Sequence, residues 1–211
     1  MSRSSEGDIS LSDTLSGPVL ASLDLYVELL MEWNRSIRLA GYRSPQEIFR
    51  HLVLEPVLAS LYFRIGESDL PLIDFGSGNG SPGIIFALLN PGRPVCLVER
   101  KEKKRSFLNY LVGRFNLPAV RVSGDLKEAL SGKDKDVHLW MKGISMASLR
   151  EAVPSDVSSP SSVIHVFKFG ELDQIGDCQD ILLHVINSES FRVQPLILVQ
   201  VTQCRWCIRK T

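Results

Sequence analysis

The chain has 211 residues, 44% of them hydrophobic and 23% charged, the make-up of a globular protein with one substantial core or a core and a small appendage. Its 24 Lys and Arg balance 24 Asp and Glu, which excludes bulk electrostatic coating of nucleic acid and leaves room for a local basic patch. The polar start shows no secretory leader, no apolar run reaches roughly 18 residues, and four cysteines without a leader suit a reducing compartment; a cytoplasmic protein with no membrane partner is expected.

Residues 1–18 are Ser-rich and acidic and read as a flexible N-terminus. Across 19–39, Leu20, Leu23, Tyr26, Val27, Leu30 and Trp33 fall at helical spacing, with Asn34 and Gly41 as punctuation near the end. A second helix starts with Ser44 as N-cap, Pro45 at the first helical position and Glu47 three residues after the cap. It presents Ile48 and Leu52 on one face, and Pro56 marks a boundary or kink. The two helices make residues 19–70 a helical appendage.

From residue 71 the pattern changes. Apolar runs at 72–75, 95–99, 120–122, 163–169, 181–185 and 196–201 read as strands, with helices over 84–89 and 106–115 and a loop at 155–162. Alternating strands and helices imply an α/β domain over 71–211, its sheet mostly parallel and covered on both faces.

The first strand runs into Asp74-Phe75-Gly76-Ser77-Gly78-Asn79-Gly80-Ser81-Pro82-Gly83. Glycines between a strand and a helix let a ligand approach the main chain at the helix N-terminus. Two readings share these residues. Gly78 to Gly83 satisfy the G-x-G-x-x-G of dinucleotide folds, which would make the chain an NAD-dependent oxidoreductase. Asp74, Gly76, Gly78 and Gly80 give instead the D-x-G-x-G-x-G of methyltransferases. Asp74 favours the second reading, because a carboxylate suits the cationic methionine portion of S-adenosylmethionine and would repel a pyrophosphate. Glu99 ends the second strand, where an acid can accept from both ribose hydroxyls of either cofactor. An oxidoreductase would also want a catalytic His, Tyr or Lys in the second half, and none stands out.

Beyond the glycines, the sequence resembles the GidB/RsmG family of bacterial methyltransferases acting on guanine N7 in small-subunit ribosomal RNA. Leu30 to Asn34 is similar to its L-x-x-W-N signature, Arg50-His51-Leu52 to its R-H-I segment, and Asp74 to Ile84 to its D-x-G-S-G-x-G-x-P-G-I turn. Glu99 to Lys104 with Phe107-Leu108 follows its E-x-x-x-K-K/R-x-x-F-L pattern, and Lys168-Phe169-Gly170 stands where the family has K-G. The resemblance implies a Rossmann-like class I methyltransferase sheet of seven strands with an N-terminal helical appendage, S-adenosylmethionine as cofactor, and small-subunit ribosomal RNA or the small ribosomal subunit as partner. It assigns cofactor binding to Asp74, Gly76, Ser77, Gly78, Gly80, Ser81, Glu99, Asp125, Leu126 and Lys127, and RNA contact to Lys103, Lys104, Lys142 and Lys168.

The chain departs from the family pattern at three places. Ser81 replaces a large apolar residue; Leu126 and Lys127 fill the adenine-side positions without the usual Glu, for which Asp125 or Glu128 can stand in; and Lys142-Gly143-Ile144-Ser145 lacks the arginine of an S-R-A motif. These changes motivate another reading, a degenerate member that binds cofactor or RNA without turnover. Guanine N7 carries a lone pair and no proton, so its methylation needs no general base, and no catalytic residue is assigned. Between Arg93 and Arg121 eight basic residues stand against Glu99 and Glu102, a stretch suited either to RNA phosphates or to a solvated helix face. Trp33, Asn34 and His51 read as packing or capping residues. Cys204-x-x-Cys207 on a strand would point its thiols to opposite faces, and the four His residues show no ligand spacing, so no metal is expected.

Overall fold

The computed structural model describes residues 11–131, 136–152, 164–169, 181–193 and 197–208. The expected loop at 155–162 and Gly170 lie outside the described residues.

A short helix α1 (Leu11–Thr14) precedes α2 (Gly17–Trp33). Order therefore begins before residue 18. Pro18 sits in the first turn of α2, where its missing N–H removes no hydrogen bond, and Leu11 and Leu15 pack against the core. Helix α2 stops at Trp33, well short of residue 39. Asn34 is its C-cap, and its side-chain Oδ1 accepts from the amides of Leu39 and Ala40 at 2.8 and 3.0 Å, folding the following loop back.

The second helix is continuous but changes its winding. Ser44 and Glu47 form the expected capping box at the start of α3 (Pro45–Ile48); a π-helical stretch follows over Phe49–Leu54; α4 (Glu55–Tyr62) resumes ordinary pitch. Pro56 accounts for the change. It cannot donate to Leu52, and its ring would press on that carbonyl; a widened turn relieves both.

The sheet holds β1 (Leu72–Phe75), β2 (Val95–Val98), β3 (Val120–Ser123), β4 (Val137–Lys142), β5 (Ile164–Phe169), β6 (Ile181–Val193) and β7 (Ile197–Ile208) in the order β3-β2-β1-β4-β5-β7-β6. β7 is antiparallel to both neighbours, and the pairs among β1 to β5 are parallel. This is the Rossmann-like class I methyltransferase sheet, and its inserted antiparallel strand sets it apart from the 3-2-1-4-5-6 order of dinucleotide folds. β4 is the strand hydropathy missed. Five of its six residues are buried, so it shows no alternation, and His138 interrupts its apolar run.

Helices α5 (Gly83–Leu89), α6 (Glu102–Arg114), α7 (Leu126–Leu130) and α8 (Met146–Ala152) connect the strands. α6 starts four residues before the expected 106, because its first turn is charged and solvent-facing and carries no apolar signal until Phe107. Alternate strand residues separate the two faces of the sheet. Leu72, Leu97 and Trp140 share one core with α2, α4, α5 and α6, while Ile73, Cys96, Val98, Leu139 and Met141 meet α7 and α8. Helices from residues 19–70 thus bury their apolar stripes in the same core as the sheet.

Candidate functional site

A cleft of about 1060 Å³ opens at the C-terminal edge of the parallel strands, where β1, β2 and β4 end. Doubly wound sheets place their ligands at such an edge. Its floor is the turn after β1. Gly76 and Gly78 adopt φ of +81° and +48°, in the region that L side chains rarely visit, so the chain can reverse there, with the Gly76 and Ser77 amides donating back to the Val98 carbonyl at 2.9 and 3.0 Å. The turn is tied down on several sides. The Ser77 hydroxyl donates to the Asp74 carbonyl at 2.8 Å, Tyr26 Oη donates to the Asn79 carbonyl at 3.1 Å, and Asn79 Oδ1 accepts from the Ser81 amide at 3.0 Å.

Glu99, just past β2, faces the turn from one side. One carboxylate oxygen accepts from the Gly78 amide at 3.1 Å and the other from the Lys101 amide at 2.8 Å. Each oxygen keeps lone-pair capacity for a further donor. Arg105 braces this corner by donating to the Glu99 carbonyl at 3.1 Å. On the far side of Glu99, Asp125 caps α7 by accepting from the Lys127 amide at 3.1 Å, and buried Leu126 gives the wall an apolar patch.

Of the expected cofactor residues, Gly76, Ser77, Gly78, Ser81, Glu99, Asp125 and Leu126 line the cleft together. Asp74, Gly80 and Lys127 do not. Asp74 shares its strand face with Leu72 and so points toward α5, where its Oδ2 accepts from the Gly83 amide at 3.0 Å. It is 1% exposed; burial, opposed by its hydrogen bonds, pushes its carboxyl up to about 7. Asp74 thus lies off the cleft lining and anchors the first turn of α5, while its Oδ1 is buried without a hydrogen-bond partner among the described residues. Gly80 gives room to Ile84 and Leu111, whose nearest side-chain atoms would stand 3.0 and 3.3 Å from an added Cβ. Lys127 is exposed on α7. Between the two candidate stand-ins for the missing acid, Asp125 is the one on the cleft, since Glu128 turns back to accept from the Ser123 hydroxyl.

The basic residues also divide. Lys104 lines the cleft, its Nζ 3.6 Å from where a Cβ on Gly78 would stand, and Lys103 is exposed on α6. Lys142, at the end of β4, directs its ammonium inward to Glu55 and to the His51 carbonyl, the latter at 2.6 Å. It lines the cleft and ties sheet to helix; burial lowers its pKa and Glu55 counters the shift. Lys168 lies on β5, its side chain outside the described atoms. Arg93 and Arg121 leave the basic stretch as well, donating to the Leu70 and Ala129 carbonyls at 2.9 and 3.0 Å.

Sequence reasoning met Ile144 but missed the other two residues of the wall opposite Glu99. Tyr42, Ile144 and Ser148 line it, and Ile144 leans over Gly76 so closely that an added Cβ there would meet it at 2.6 Å. Tyr42 stacks on His51, with ring centroids 4.7 Å apart and planes 12° from parallel. His51 Nδ1 is 2.8 Å from Glu55 Oε1. The four-residue spacing of His51 and Glu55 was a usable signal for that pair. Tyr42, in a loop, had none. Among the described residues no cluster of His, Cys, Asp and Glu is arranged to hold a metal, and no helix is long and apolar enough to cross a membrane.

A sequence model of the GidB family, described as rRNA small subunit methyltransferase G, matches residues 19–141, more than half of the chain. This chain belongs to the GidB family. Similar relatives include the ribosomal RNA small subunit methyltransferase G of Halorhodospira halophila, 33% identical over 120 residues, covering 57% of this chain and 56% of the relative. The protein of the same name from Xylella fastidiosa is 40% identical over 128 residues, covering 60% of this chain and 56% of that one. The GidB-like chain thus spans little more than half the length of these relatives. In fold, it is similar to a variant of MtNAS in complex with S-adenosylmethionine, with a TM-score of 0.53 over 90% of this chain and 76% of that one at 12% identity.

Proposed function

We propose that this GidB-family chain transfers a methyl group from S-adenosylmethionine to guanine N7 in small-subunit ribosomal RNA, acting in the cytoplasm. The observation that carries the reading is the cleft itself: the glycine turn of β1 and the acid of β2 meet on its lining at the C-terminal edge of this sheet. The residues fit the cofactor. Gly76 and Gly78 offer main chain without side chains, Glu99 has acceptor capacity left for ribose hydroxyls, and Asp125 and Leu126 offer one polar and one apolar contact for an adenine. Ser81 adds a buried hydroxyl on the cleft wall with no hydrogen-bond partner among the described residues, a donor awaiting an acceptor.

When bound, S-adenosylmethionine supplies an electrophilic methyl group on a sulfonium. The protein's task is then alignment and exclusion of water, because N7 attacks with a lone pair and releases no proton. Glu99 and the glycine turn would hold the donor on the β1–β2 side, which would leave the β4 side for the acceptor. Lys103 and Lys104 on α6 extend positive charge outward from the cleft and suit phosphate contacts.

Calorimetric titration with S-adenosylmethionine and with NAD, followed by incubation of small ribosomal subunits with a labelled methyl donor, tests the proposal. Saturable S-adenosylmethionine binding and label at N7 of a guanine are expected. Binding of NAD alone would overturn the cofactor assignment. Cofactor binding with no transfer would make the chain a non-catalytic member of its family, a reading favoured by Ile144 over Gly76 and by the inward turn of Lys142.

A further inference from the structure

The wall of the cleft opposite Glu99 holds an arrangement that the cofactor does not account for. The strand ends run Glu99 (β2), Gly76 (β1) and Lys142 (β4) across the edge of the sheet. If the ribose is held at Glu99 and the turn of β1 is central, the acceptor must enter from the β4 side. That side is where Tyr42 stands.

Tyr42 belongs to the loop between α2 and α3, yet its ring is held in a fixed plane. His51 covers one ring face at 4.7 Å and 12°. His51 is itself held by Glu55 at 2.8 Å, and Glu55 and the His51 carbonyl are both gripped by the Lys142 ammonium. The loop is tied at its root by Asn34, whose Oδ1 accepts from the Leu39 and Ala40 amides, and to the glycine turn by Asn79. A partly exposed aromatic ring with one face occupied, its plane fixed by a chain of three polar residues reaching the end of β4, is a ready stacking surface on a cleft wall. Base–aromatic stacking needs no hydrogen-bond code and is served by such a ring.

We propose that Tyr42 is the stacking residue for the acceptor purine, that His51 is the positioning residue that holds its plane, and that Glu55 and Lys142 are the posts on which His51 rests. The proposal rests on the methyl-transfer reading and adds to it the residue that seats the acceptor base. It also gives the inward turn of Lys142 a purpose: the charge at the end of β4 serves the stack, and the phosphates are left to α6.

The test compares wild type, Tyr42→Phe, Tyr42→Leu and His51→Leu. The methyl acceptor is the small ribosomal subunit, and S-adenosylmethionine affinity is measured separately by calorimetry. Tyr42→Phe keeps the ring and is expected to stay within about twofold of wild type, whereas Tyr42→Leu lowers kcat/KM for the subunit about tenfold or more. His51→Leu falls between them, because the ring of Tyr42 remains but its plane is no longer held. In all three variants the Kd for S-adenosylmethionine and the unfolding midpoint stay near wild type. Full activity in Tyr42→Leu would overturn the proposal, as would an equal loss in Tyr42→Phe, which would assign the role to the hydroxyl. A parallel loss of cofactor affinity or stability in Tyr42→Leu would assign Tyr42 a structural role and overturn it too. If wild type transfers no methyl group, the functional reading fails, and the stack is judged alone by titrating a 2-aminopurine ribonucleotide oligomer. Quenching by wild type and Tyr42→Phe but not by Tyr42→Leu sustains it, and equal quenching by all three overturns it.

Discussion

Gly83 shows how one missing side chain positions this site. It opens α5 against β1 and β2, and a Cβ there would stand 2.7 and 2.8 Å from Asp74 Oδ2 and Cβ, with Leu97 closer still. Neither strand can retreat, since both are buried on two faces. Gly83→Ala is expected to cost about 1–3 kcal/mol by overpacking, read as a lowered midpoint in thermal or denaturant unfolding. An unchanged midpoint would show that the helix can slide. Glu99 lies on the chemical side of the same turn. Glu99→Gln keeps the shape but removes the charge that makes its accepted hydrogen bonds strong, so S-adenosylmethionine should bind about tenfold more weakly by calorimetry. Asp74 and Glu99 also show the limit of a motif. Both are acids at strand ends in the sequence, and only the parity of β1 decides that Asp74 faces α5 while Glu99, beyond the end of β2, reaches the cleft.

Among the elements, the junction after α2 carries the most consequence. Asn34 ends the helix and folds the loop of residues 35–40 with three hydrogen bonds, two accepted and one donated to the Ala40 carbonyl at 3.2 Å. Asn34→Ala is expected to destabilise the protein by about 1–2 kcal/mol through loss of these bonds. Because the same connection runs on to Tyr42, proteolysis near residues 35–42 should quicken in the same variant. Equal cleavage rates in variant and wild type would show that Asn79, which donates to the Leu39 carbonyl, holds the loop without it. The elements were unevenly legible. The capping box of Ser44 and Glu47, the glycine turn and the buried β1 and β2 follow from local pattern, and all are present. β4 and α8 were not read, and α7 was not read as a helix. A five-residue helix such as α7 has too few turns to show a stripe, and β4, buried on both faces, has no alternation to detect.

At the scale of the molecule, the cost of burying Asp74 should set part of the pH dependence of stability. Burial pushes its carboxyl up to about 7 in the folded protein, from the ordinary 3.8 of an exposed Asp. Between those values the folded chain holds a proton that the unfolded chain has released, so stability falls as pH rises through this window and levels off above about 7. Across the whole window the loss is on the order of 4 kcal/mol for this group alone. Asp74→Asn, which cannot ionise, should flatten the fall when denaturant midpoints are compared between pH 5 and pH 8. A wild-type profile no steeper than that of the variant would show that Asp74 stays charged, with its Oδ1 served by a partner beyond the described residues. The same scale explains why the helical appendage is no detachable unit. Tyr26 reaches Asn79, Lys142 reaches His51 and Glu55, and Trp33 lies 5.3 Å from Phe107, so residues from 19–70 brace both the floor and the wall of the cleft.

The sequence by itself determined the α/β class, the glycine turn, the acid after β2 and, through its motifs, membership of the GidB family, because each depends on residues close together in the chain. Tertiary structure alone decided which of those residues share the cleft. Asp74 turned away with the parity of its strand, Lys142 turned inward to an acid 87 positions earlier, and Tyr42 arrived from a loop with no pattern of its own. Such choices depend on which strand face meets which helix and on where a buried charge finds its counter-charge, and no local window of sequence contains either partner.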